Sequence, residues 1–419
     1  MSTGFSNGFS HNWKRGEVMQ SAVSTASVEL SNDWDRRGLP AWTYHNAAYL
    51  ELEKKELFQT HWQIAGHVSN VPKAGDYFTL DICGERALII RSDDNEIRAF
   101  HNLCRHRGSR VVAEKQGHCK NALVCPFHGW VYNLDGTLRG AARPQSFSAL
   151  DKNEFGLKSI EHEIWKGFIF IRFRKGPQPS VDLLMRPFSE DLSDYQMEEL
   201  VPASGFNEQI SPVNWKSVRD VDNEGYHVAM AHPALQDLYG STYYDMPFKS
   251  GLSYSEGRYN AHAGRSWSVR NYMKIAPEQK WLPENKRKVW SYYGLFPNAV
   301  FSTMPETVQF YQEFPLTTDA TLLRSAVYRR PVESRPERLA RYLSARIDRE
   351  TYAEDIQLSI WSNESMRSSA FQGFHLSDLE KGVRSHHDHL RKVLPVVNMD
   401  DPPSDTEMAK TNTRLHANT

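Results

Sequence analysis

Two short segments, each with one cysteine and one histidine, constrain this chain more than any other feature. Cys104 and His106 form a C-x-H pattern, and after 18 intervening residues Cys125 and His128 form a C-x-x-H pattern. A glycine follows each segment, which lets the backbone turn tightly around a bound group. Two thiolates and two imidazoles in two such loops predict a metal centre that both loops must reach in the folded chain.

The order of the ligands distinguishes between two kinds of centre. Zinc sites with two cysteines and two histidines usually pair Cys with Cys and His with His along the chain, whereas each loop here has Cys followed by His. In a Rieske centre two cysteines hold one iron and two histidines hold the other, so each loop would supply one ligand to each iron. A zinc ion and two unrelated buried pairs are the alternatives. The remaining cysteines, Cys83 and Cys119, are predicted to be packing or surface residues.

The stretch CPFHGW, which contains Pro126, Gly129 and Trp130, resembles the second cluster-binding loop of Rieske non-haem iron oxygenases, the ring-hydroxylating oxygenase alpha-subunit family. The segments GLPAWTYHNAAYLELEKKELF, GDYFTLDICGERALIIR and AFHNLCRHRGSR also resemble the Rieske domain of this family, and GFHLSDLEKG resembles its C-terminal helices. The resemblance covers roughly residues 38–395. It implies a [2Fe-2S] cluster held by Cys104, His106, Cys125 and His128, and a separate mononuclear Fe(II).

The segment NWKSVRDVDNEGYHVAMAHPAL contains the candidate iron ligands His227 and His232. They stand five residues apart, which is not one face of a helix, but Pro233 favours a break that would let them converge. Alone, two structural histidines are the better interpretation. The family resemblance adds Asp355 as the third ligand, with Glu354 as the second choice, and a solvated acidic pair is the alternative for both. Two histidines and one carboxylate leave positions on iron open for dioxygen.

Glu224 stands three residues before His227, where the family has a carboxylate that links the two centres. The resemblance implies that it hydrogen-bonds to His227 and to a cluster-ligating histidine, here His128, of a neighbouring subunit. Many aromatic-ring dioxygenases have Asp at this place, and relatives often have Glu-Asn where this chain has Arg219 and Asp220. These departures from the usual family pattern favour branches of the family that include homotrimeric enzymes. An ordinary exposed acid is the alternative.

The pattern of strands and helices predicts an α+β protein. It has an N-terminal β-rich domain and a C-terminal domain of strands and helices. The resemblance implies that the first is a Rieske [2Fe-2S] domain and that the second is a helix-grip catalytic domain with a curved antiparallel sheet. We predict an N-terminal arm (1–36), the Rieske domain with a flanking helix (37–175), the catalytic domain (176–398) and a C-terminal tail without fixed structure (399–419). Residues 163–173 are predicted to be one strand, and about 335–394 to be helical.

Charge and composition restrict the partners. The chain has 50 Lys and Arg against 51 Asp and Glu, so no net charge favours nucleic acid, and no apolar run approaches the length of a membrane span. We expect a cytoplasmic protein. No dinucleotide-binding fingerprint is recognised, which predicts that a separate NAD(P)H-dependent reductase, directly or through a ferredoxin, supplies electrons. The family resemblance implies a homotrimer.

The predicted function is terminal oxygenation of a small organic substrate with dioxygen, as a monooxygenase or dioxygenase. We expect an aromatic substrate, as in aromatic hydrocarbon catabolism, and the alternative is monooxygenation or N-demethylation of a quaternary ammonium compound. A Rieske electron carrier and a binding protein without catalytic iron are the non-enzyme alternatives. Leu238, Tyr243, Tyr292 and Phe310 are candidates for the substrate cavity, with strand core as the alternative for each.

Overall fold

A computed structural model describes residues 34–147, 150–262, 264–276 and 279–417. Most of the predicted N-terminal arm therefore lies outside the described residues. The helices are α1 Ala47–Glu53, α2 Val181–Ser193, α3 Trp215–Asp222, α4 Val228–Ala231, α5 Pro233–Tyr239, α6 Trp267–Ile275, α7 Arg335–Ser365, α8 Lys381–Val393 and α9 Met408–His416. The strands of the first half are β1 Gln63–His67, β2 Asp76–Ile82, β3 Glu85–Arg91, β4 Ile97–His101, β5 Gln116–His118, β6 Leu123–Val124, β7 Val131–Tyr132, β8 Leu138–Gly140, β9 Glu161–Trp165 and β10 Phe168–Arg172. Those of the second half are β11 Val201–Pro202, β12 Asn207–Ser211, β13 Tyr244–Lys249, β14 Leu252–Arg258, β15 Val289–Leu295, β16 Ala299–Met304, β17 Thr307–Thr317 and β18 Ala320–Arg329.

The first half consists of three small antiparallel sheets, in the orders β4-β3-β2-β5, β6-β7-β8 and β1-β10-β9. Leu88 and Ile90 from β3 pack with Leu123 and Tyr132 in one apolar core. Cys104 and Cys125 belong to the same core, so the two cysteine loops are anchored in it. This half is β-rich, as predicted.

The second half is built on one antiparallel sheet, in the order β11-β18-β17-β16-β15-β14-β13, with β12 also paired to β18. One face of this sheet packs against α2, β1 and β10. The other face packs against α5, α6 and the 31-residue α7, which is about 46 Å long. A sheet that holds one long helix against its face confirms the α+β class.

Helix α7 begins at a strong sequence signal. Ser334 caps it through the backbone N–H of Glu337, the Glu337 side chain bonds back to Ser334, and a proline occupies the first turn. Ala340 and Ile347 in its first half are buried against the sheet. The same face carries polar side chains further along, and one of these is Asp355.

The single strand predicted over 163–173 is wrong. Lys166 and Gly167 adopt positive φ, +46° and +80°, and form a two-residue turn that makes a hairpin of β9 and β10. The prediction failed because β10 is buried on both faces, so an apolar run replaces the alternation that marks a strand's limits.

The C-terminal tail is also not structureless. Helix α9 packs on the preceding segment through Met408, which is buried, and the Asn412 side chain accepts a hydrogen bond from the backbone N–H of Val396 at 3.2 Å. The polar composition of 399–419 hides these contacts, because a short helix at the edge of a core needs few apolar residues. The domain boundaries stay a prediction. In the part of the chain that the structure describes, no helix combines the length and hydrophobicity that a membrane span requires.

Candidate functional site

The two cysteine loops share one backbone design. The N–H of Gly108 donates to the carbonyl of Cys104 at 2.9 Å, and the N–H of Gly129 donates to the carbonyl of Cys125 at 3.0 Å. Both glycines have positive φ, +74° and +66°, a conformation that other residues rarely adopt. Each loop therefore folds back over its cysteine and presents the nearby histidine beside it.

The four side chains group by type. Both cysteines are buried, and burial, together with contact with the Cys125 thiol, raises the pKa of Cys104. The rings of His106 and His128 lie against each other, with centroids 4.6 Å apart, and His106 stacks on Trp130 at 5.2 Å. The loops thus bring thiol to thiol and imidazole to imidazole.

This grouping fits a Rieske cluster, in which one iron takes two thiolates and the other takes two imidazoles. His128 Nδ1 is buried and has no hydrogen-bond partner in the part of the chain that the structure describes, as expected for a ring nitrogen that faces a bound group. In the described ranges, His227, His232 and Asp355 place their ligand atoms within 4.8 Å of one another, the spacing expected for a single ion. The side chains of the cysteine loops do not form such a group in these ranges. The grouping therefore favours a cluster over the single zinc ion considered from the sequence.

A break between two short helices brings His227 and His232 together. Asn214 caps α3, which ends at Asp222, and His227 lies at the start of the one-turn helix α4. His232 leaves the helical conformation, with φ −117° and ψ 81°, and Pro233 starts α5. The proline thus produces the break that the sequence predicted, and the two histidine rings converge although they are five residues apart.

The three predicted iron ligands meet at one point. His227 Nε2 lies 2.9 Å from His232 Nε2, and Asp355 Oδ1 lies 2.8 Å from His232 Nε2 and 3.4 Å from His227 Nε2. Asp355 Oδ1 is buried, and neither histidine contact has the geometry of a hydrogen bond to it. Three atoms with lone pairs thus face a common space, and this donor set suits a divalent iron.

The electrostatics of this point favour positive charge. Burial by itself lowers the pKa of His227, but the carboxylates of Asp355 and Glu224 outweigh burial and raise it to about 10. Burial would also lower the pKa of His232, but the carboxylate of Asp355 raises it instead. Burial would raise the pKa of Asp355, and the two histidines lower it instead. A cation at this point would take the place of the protons that these side chains otherwise attract.

Two further carboxylates hold the outer sides of the histidine rings. Glu224 Oε1 lies 2.5 Å from His227 Nδ1, and its other oxygen accepts hydrogen bonds from the backbone N–H groups of Tyr226 and His227. Glu354 Oε2 lies 2.9 Å from His232 Nδ1. Such partners fix the ring orientation and leave Nε2 for a metal. The sequence ranked Glu354 only as a substitute for Asp355. Neighbouring positions on a helix point about 100° apart, so the two acids reach opposite sides of one histidine.

The unusual pair Arg219 and Asp220 has structural contacts. Arg219 is buried and pairs with Asp222 at 2.8 Å. Asp220 accepts a hydrogen bond from the Tyr44 hydroxyl at 2.5 Å and lies 2.8 Å from His387 Nε2. These contacts tie α3 to the N-terminal segment and to α8, so the pair supports the helix that precedes the candidate ligands.

We call the space between the polar side chains of the sheet and those of α7 the polar recess. Tyr292, Ser302 and Gln309 are paired across β15, β16 and β17 and so share one sheet face. Gln309 Nε2 donates to Asp348 Oδ2 on α7 at 3.3 Å, and the Tyr239 and Tyr292 hydroxyls lie 3.0 Å apart. Tyr292, Gln309 and Asp348 lie inside the domain but keep surface accessible to water.

The four residues predicted from the sequence to line a cavity divide into two pairs. Leu238 and Phe310 are fully buried in apolar cores. Tyr243 and Tyr292 keep accessible surface, and the Tyr243 ring stacks near Tyr239 with centroids 6.1 Å apart. The sequence missed Asp348, although it precedes Asp355 by seven residues, a spacing that places both on one face of a helix.

Comparison with protein families gives two matches. Residues 61–156 match the Rieske [2Fe-2S] domain, and residues 191–395 match the ring hydroxylating alpha subunit (catalytic domain). The first range contains both cysteine loops. The second contains Glu224, His227, His232 and Asp355.

Two known relatives are named as oxygenase subunits of monooxygenases. The chain is 35% identical over 220 residues to a glycine betaine monooxygenase oxygenase subunit from Pseudomonas aeruginosa, a match that covers 52% of this chain and 50% of that protein. It is 27% identical over 294 residues to the carnitine monooxygenase oxygenase subunit of Escherichia coli, covering 69% and 74%. The chain thus spans about half the length of the first of these relatives.

Solved structures share the fold. A quaternary ammonium Rieske monooxygenase superposes with a TM-score of 0.71 at 23% identity, covering 84% of this chain and 94% of that one. Naphthalene 1,2-dioxygenase from Rhodococcus superposes with a TM-score of 0.66 at 17% identity, covering 85% and 94%. The family profiles, the relatives and the two groups of donor side chains agree. The chain belongs to the Rieske non-haem iron oxygenase alpha-subunit family, whose cofactors are a [2Fe-2S] cluster and a mononuclear iron.

Proposed function

We propose that this protein is the terminal oxygenase of a multicomponent Rieske monooxygenase that acts on a quaternary ammonium compound. The observation that carries the substrate class is the set of relatives, which are named glycine betaine, carnitine and choline monooxygenases. They favour the alternative that the sequence left open over the aromatic substrate that we expected, and we do not retain aromatic hydrocarbon catabolism. The convergence of His227, His232 and Asp355 favours an enzyme over a Rieske electron carrier.

We assign the cluster to Cys104, His106, Cys125 and His128, and the mononuclear iron to His227, His232 and Asp355. When bound, the iron would activate dioxygen. The net reaction places one oxygen atom in a C–H bond beside the ammonium nitrogen and releases the other as water, using two electrons and two protons. Asp355 and the two histidine Nε2 atoms would hold the iron, and we propose that the recess beside Tyr292 takes the substrate.

Glu224 and Glu354 position the iron ligands. Each carboxylate accepts a hydrogen bond from the outer nitrogen of one histidine, which keeps Nε2 unprotonated toward the metal. Glu224 is 9% exposed, and the backbone N–H groups of Tyr226 and His227 hold it in place. We propose that Glu224 also contacts His128 of a neighbouring copy and so connects a cluster to the iron of the next subunit.

This link requires an oligomer, and we propose a homotrimer arranged head to tail. Work on one solved relative concerns inter-subunit electron transfer in a quaternary ammonium monooxygenase, which supports the same arrangement here. A separate NAD(P)H-dependent reductase, with or without a ferredoxin, would supply the electrons. We also propose a cytoplasmic location.

The test is product analysis with a surrogate reductase, NADH and dioxygen. The panel is choline, glycine betaine and carnitine, with benzoate and naphthalene as aromatic controls. We expect oxygen uptake and NADH oxidation in step with an oxidised or demethylated ammonium product, and about three irons per chain, against about two for a cluster alone. Turnover of the aromatic compounds alone would overturn the substrate class. Two irons per chain with no turnover would overturn the proposal that the protein is an enzyme.

A further inference from the structure

Asp348 is a carboxylate inside the recess that forms no ion pair with a basic side chain of the described residues. Its only hydrogen bond among the described residues comes from Gln309, and none of the ion pairs in these ranges involves it. Burial raises the pKa of Asp348 to about 7. A buried carboxylate is costly unless a cation or several hydrogen bonds compensate it. The recess is therefore suited to receive a positive charge from outside the chain.

The position of Asp348 relates it to the iron ligands. It precedes Asp355 on α7 by seven residues, so the two acids share a face about 10 Å apart along the axis. Burial raises the pKa of Tyr292, and the charges of Asp348 and Asp355 raise it further, so the Tyr292 hydroxyl lies near both acids. The Tyr292 ring is an aromatic surface of the kind on which ammonium groups bind.

The walls of the recess are polar and incompletely paired. Among the described residues, the hydroxyl of Ser302, which is 1% exposed, has no hydrogen-bond partner, and neither has that of Thr351. Ser302 lies between Tyr292 and Gln309 on the same sheet face. Thr351 is three residues from Asp348 on α7. Buried hydroxyls without partners, close to a carboxylate that accepts a single hydrogen bond, indicate a binding site, since natural cores satisfy such groups.

Arg219, the buried basic side chain of α3, is already neutralised. Arg219 pairs with Asp222 at 2.8 Å and with Glu313 at 3.5 Å, and Asp222 also accepts a hydrogen bond from the Tyr311 hydroxyl. Arg349 follows Asp348 in sequence but is exposed on the outer side of α7. A carboxylate carried by a substrate would therefore meet acids and tyrosines in the recess.

We propose that Asp348, with Tyr292, Ser302 and Gln309, forms the subsite for the ammonium group, and that this subsite selects substrates with a net positive charge over zwitterions. The inference rests on the proposed function and narrows its substrate class. An amino alcohol of the choline type fits this chemistry better than a betaine. Asp348 fixes the cationic group, and the recess then presents the carbon atoms beside the nitrogen to the iron side.

The experiment compares three ligands by isothermal titration calorimetry on the iron-loaded enzyme. Choline is the cation, glycine betaine the zwitterion, and 3,3-dimethylbutan-1-ol the neutral compound with the shape of choline. We expect choline to bind at least about tenfold more tightly than either of the others. Asp348→Asn should weaken choline binding at least about tenfold and change binding of the neutral alcohol less than about twofold.

Glu256→Gln is the matched control. Glu256 is also a buried acid of this domain, but it pairs across β14 and β15 with Ser291, the neighbour of Tyr292, so its side chain lies on the opposite face of the sheet. Choline binding should therefore change less than about threefold. Visible absorbance of the cluster and iron content verify that each variant is assembled. If Asp348→Asn does not fold, the ligand order of the natural protein decides the question.

Two results would overturn this inference. One is glycine betaine binding as tightly as choline, and the other is an Asp348→Asn variant that loses choline and the neutral alcohol equally. Oxidation of glycine betaine in preference to choline would refute the charge selection but leave the proposed function intact. Oxidation of aromatic compounds alone would refute the proposed function itself.

Discussion

Glu224 and Glu354 contact the two histidines in the same way, yet only Glu224 has a proposed second role. Glu224→Gln removes the charge but keeps a hydrogen-bonding side chain beside His227 Nδ1. We expect both metal centres to stay bound while turnover falls about 100-fold, because electrons no longer reach the iron. The measurement is a single turnover: the reduced cluster is mixed with substrate and dioxygen, and its reoxidation is followed by visible absorbance.

The control for this prediction is Glu354→Gln. It removes the same charge from the outer side of His232, so a purely structural effect of losing the carboxylate would appear in both variants. We expect Glu354→Gln to weaken iron binding about tenfold and to keep rapid reoxidation of the cluster when iron is in excess. Equal reoxidation rates in the two variants would contradict a special role for Glu224.

Asp355 faces the space between the two Nε2 atoms, so it should be indispensable for iron. Asp355→Asn leaves a neutral amide in place of the carboxylate 2.8 Å from His232 Nε2. We expect metal analysis to give about two irons per chain instead of about three, with an unchanged cluster spectrum. A variant that retains the third iron would show that Glu354, the second choice from the sequence, takes this place.

The residues of the two centres differ in how far the sequence could identify them. The cysteine loops follow from local spacing, because each loop is a tight turn whose geometry is set within five or six residues. His227 and His232 needed a helix break that Pro233 only suggests. Glu354 and Asp348 depend on the rotation of α7 against the sheet, and no local pattern records this rotation.

At the scale of elements, the hairpin of β9 and β10 depends on Gly167. Its φ is +80°, and an added Cβ would lie 2.1 Å from Nε2 of His67, a buried ring that contacts the carbonyl of Met197 at 3.0 Å. We therefore expect Gly167→Ala to lower the free energy of unfolding by about 3 kcal/mol, through both backbone strain and the displaced ring. Denaturant unfolding, followed by circular dichroism, measures the change.

Gly84 provides the control for the steric part of this effect. It has a similar φ of +84° in the turn between β2 and β3, but an added Cβ would meet nothing within 4 Å. Gly84→Ala should therefore cost only the backbone strain, about 1 kcal/mol. If the two variants lose equal stability, the contact with His67 does not contribute.

The sequence predicted the elements whose two faces differ and missed those whose faces are alike. Strand β2, Asp76–Ile82, exposes Asp81 and buries Leu80 and Ile82, and the sequence located it from this contrast. Strand β10 is buried throughout, so its hairpin turn was not recognised. Helix α9 lies at the edge of a core, which it joins through Met408 and Leu415. Periodicity thus reports the environment of an element, and it carries little information where the environment is uniform.

At the scale of the whole molecule, one core joins the two halves of the chain. It includes Phe78 and Ile89 from the Rieske half, Trp215 and Phe314 from the catalytic half, and Leu394 near the C-terminus. A buried ion pair between Lys216 and Glu53, 2.7 Å apart, adds a polar link between α3 and α1. The halves of one chain are therefore packed together, and a cluster in a neighbouring copy must approach from outside this core.

Mixed oligomers test which cluster serves which iron. Cys104→Ser should remove the cluster, Asp355→Asn should remove the mononuclear iron, and each variant alone should be inactive. In a head-to-tail trimer of both variants, a site works where an intact iron faces an intact cluster of its neighbour. With random assembly this holds for about a quarter of all subunits, so about 25% of the natural activity should return.

The two variants are coexpressed with different affinity tags and purified over both tags, so that only mixed oligomers are assayed with the surrogate reductase. Because double-tag selection removes the trimers of one variant, activity somewhat above a quarter is expected, about a third. The cluster spectrum and the iron content of each single variant verify that it has lost only its own centre. Activity absent from a properly assembled mixed trimer would mean that the electron stays within one chain, and Glu224 would then have to act on a cluster of its own subunit.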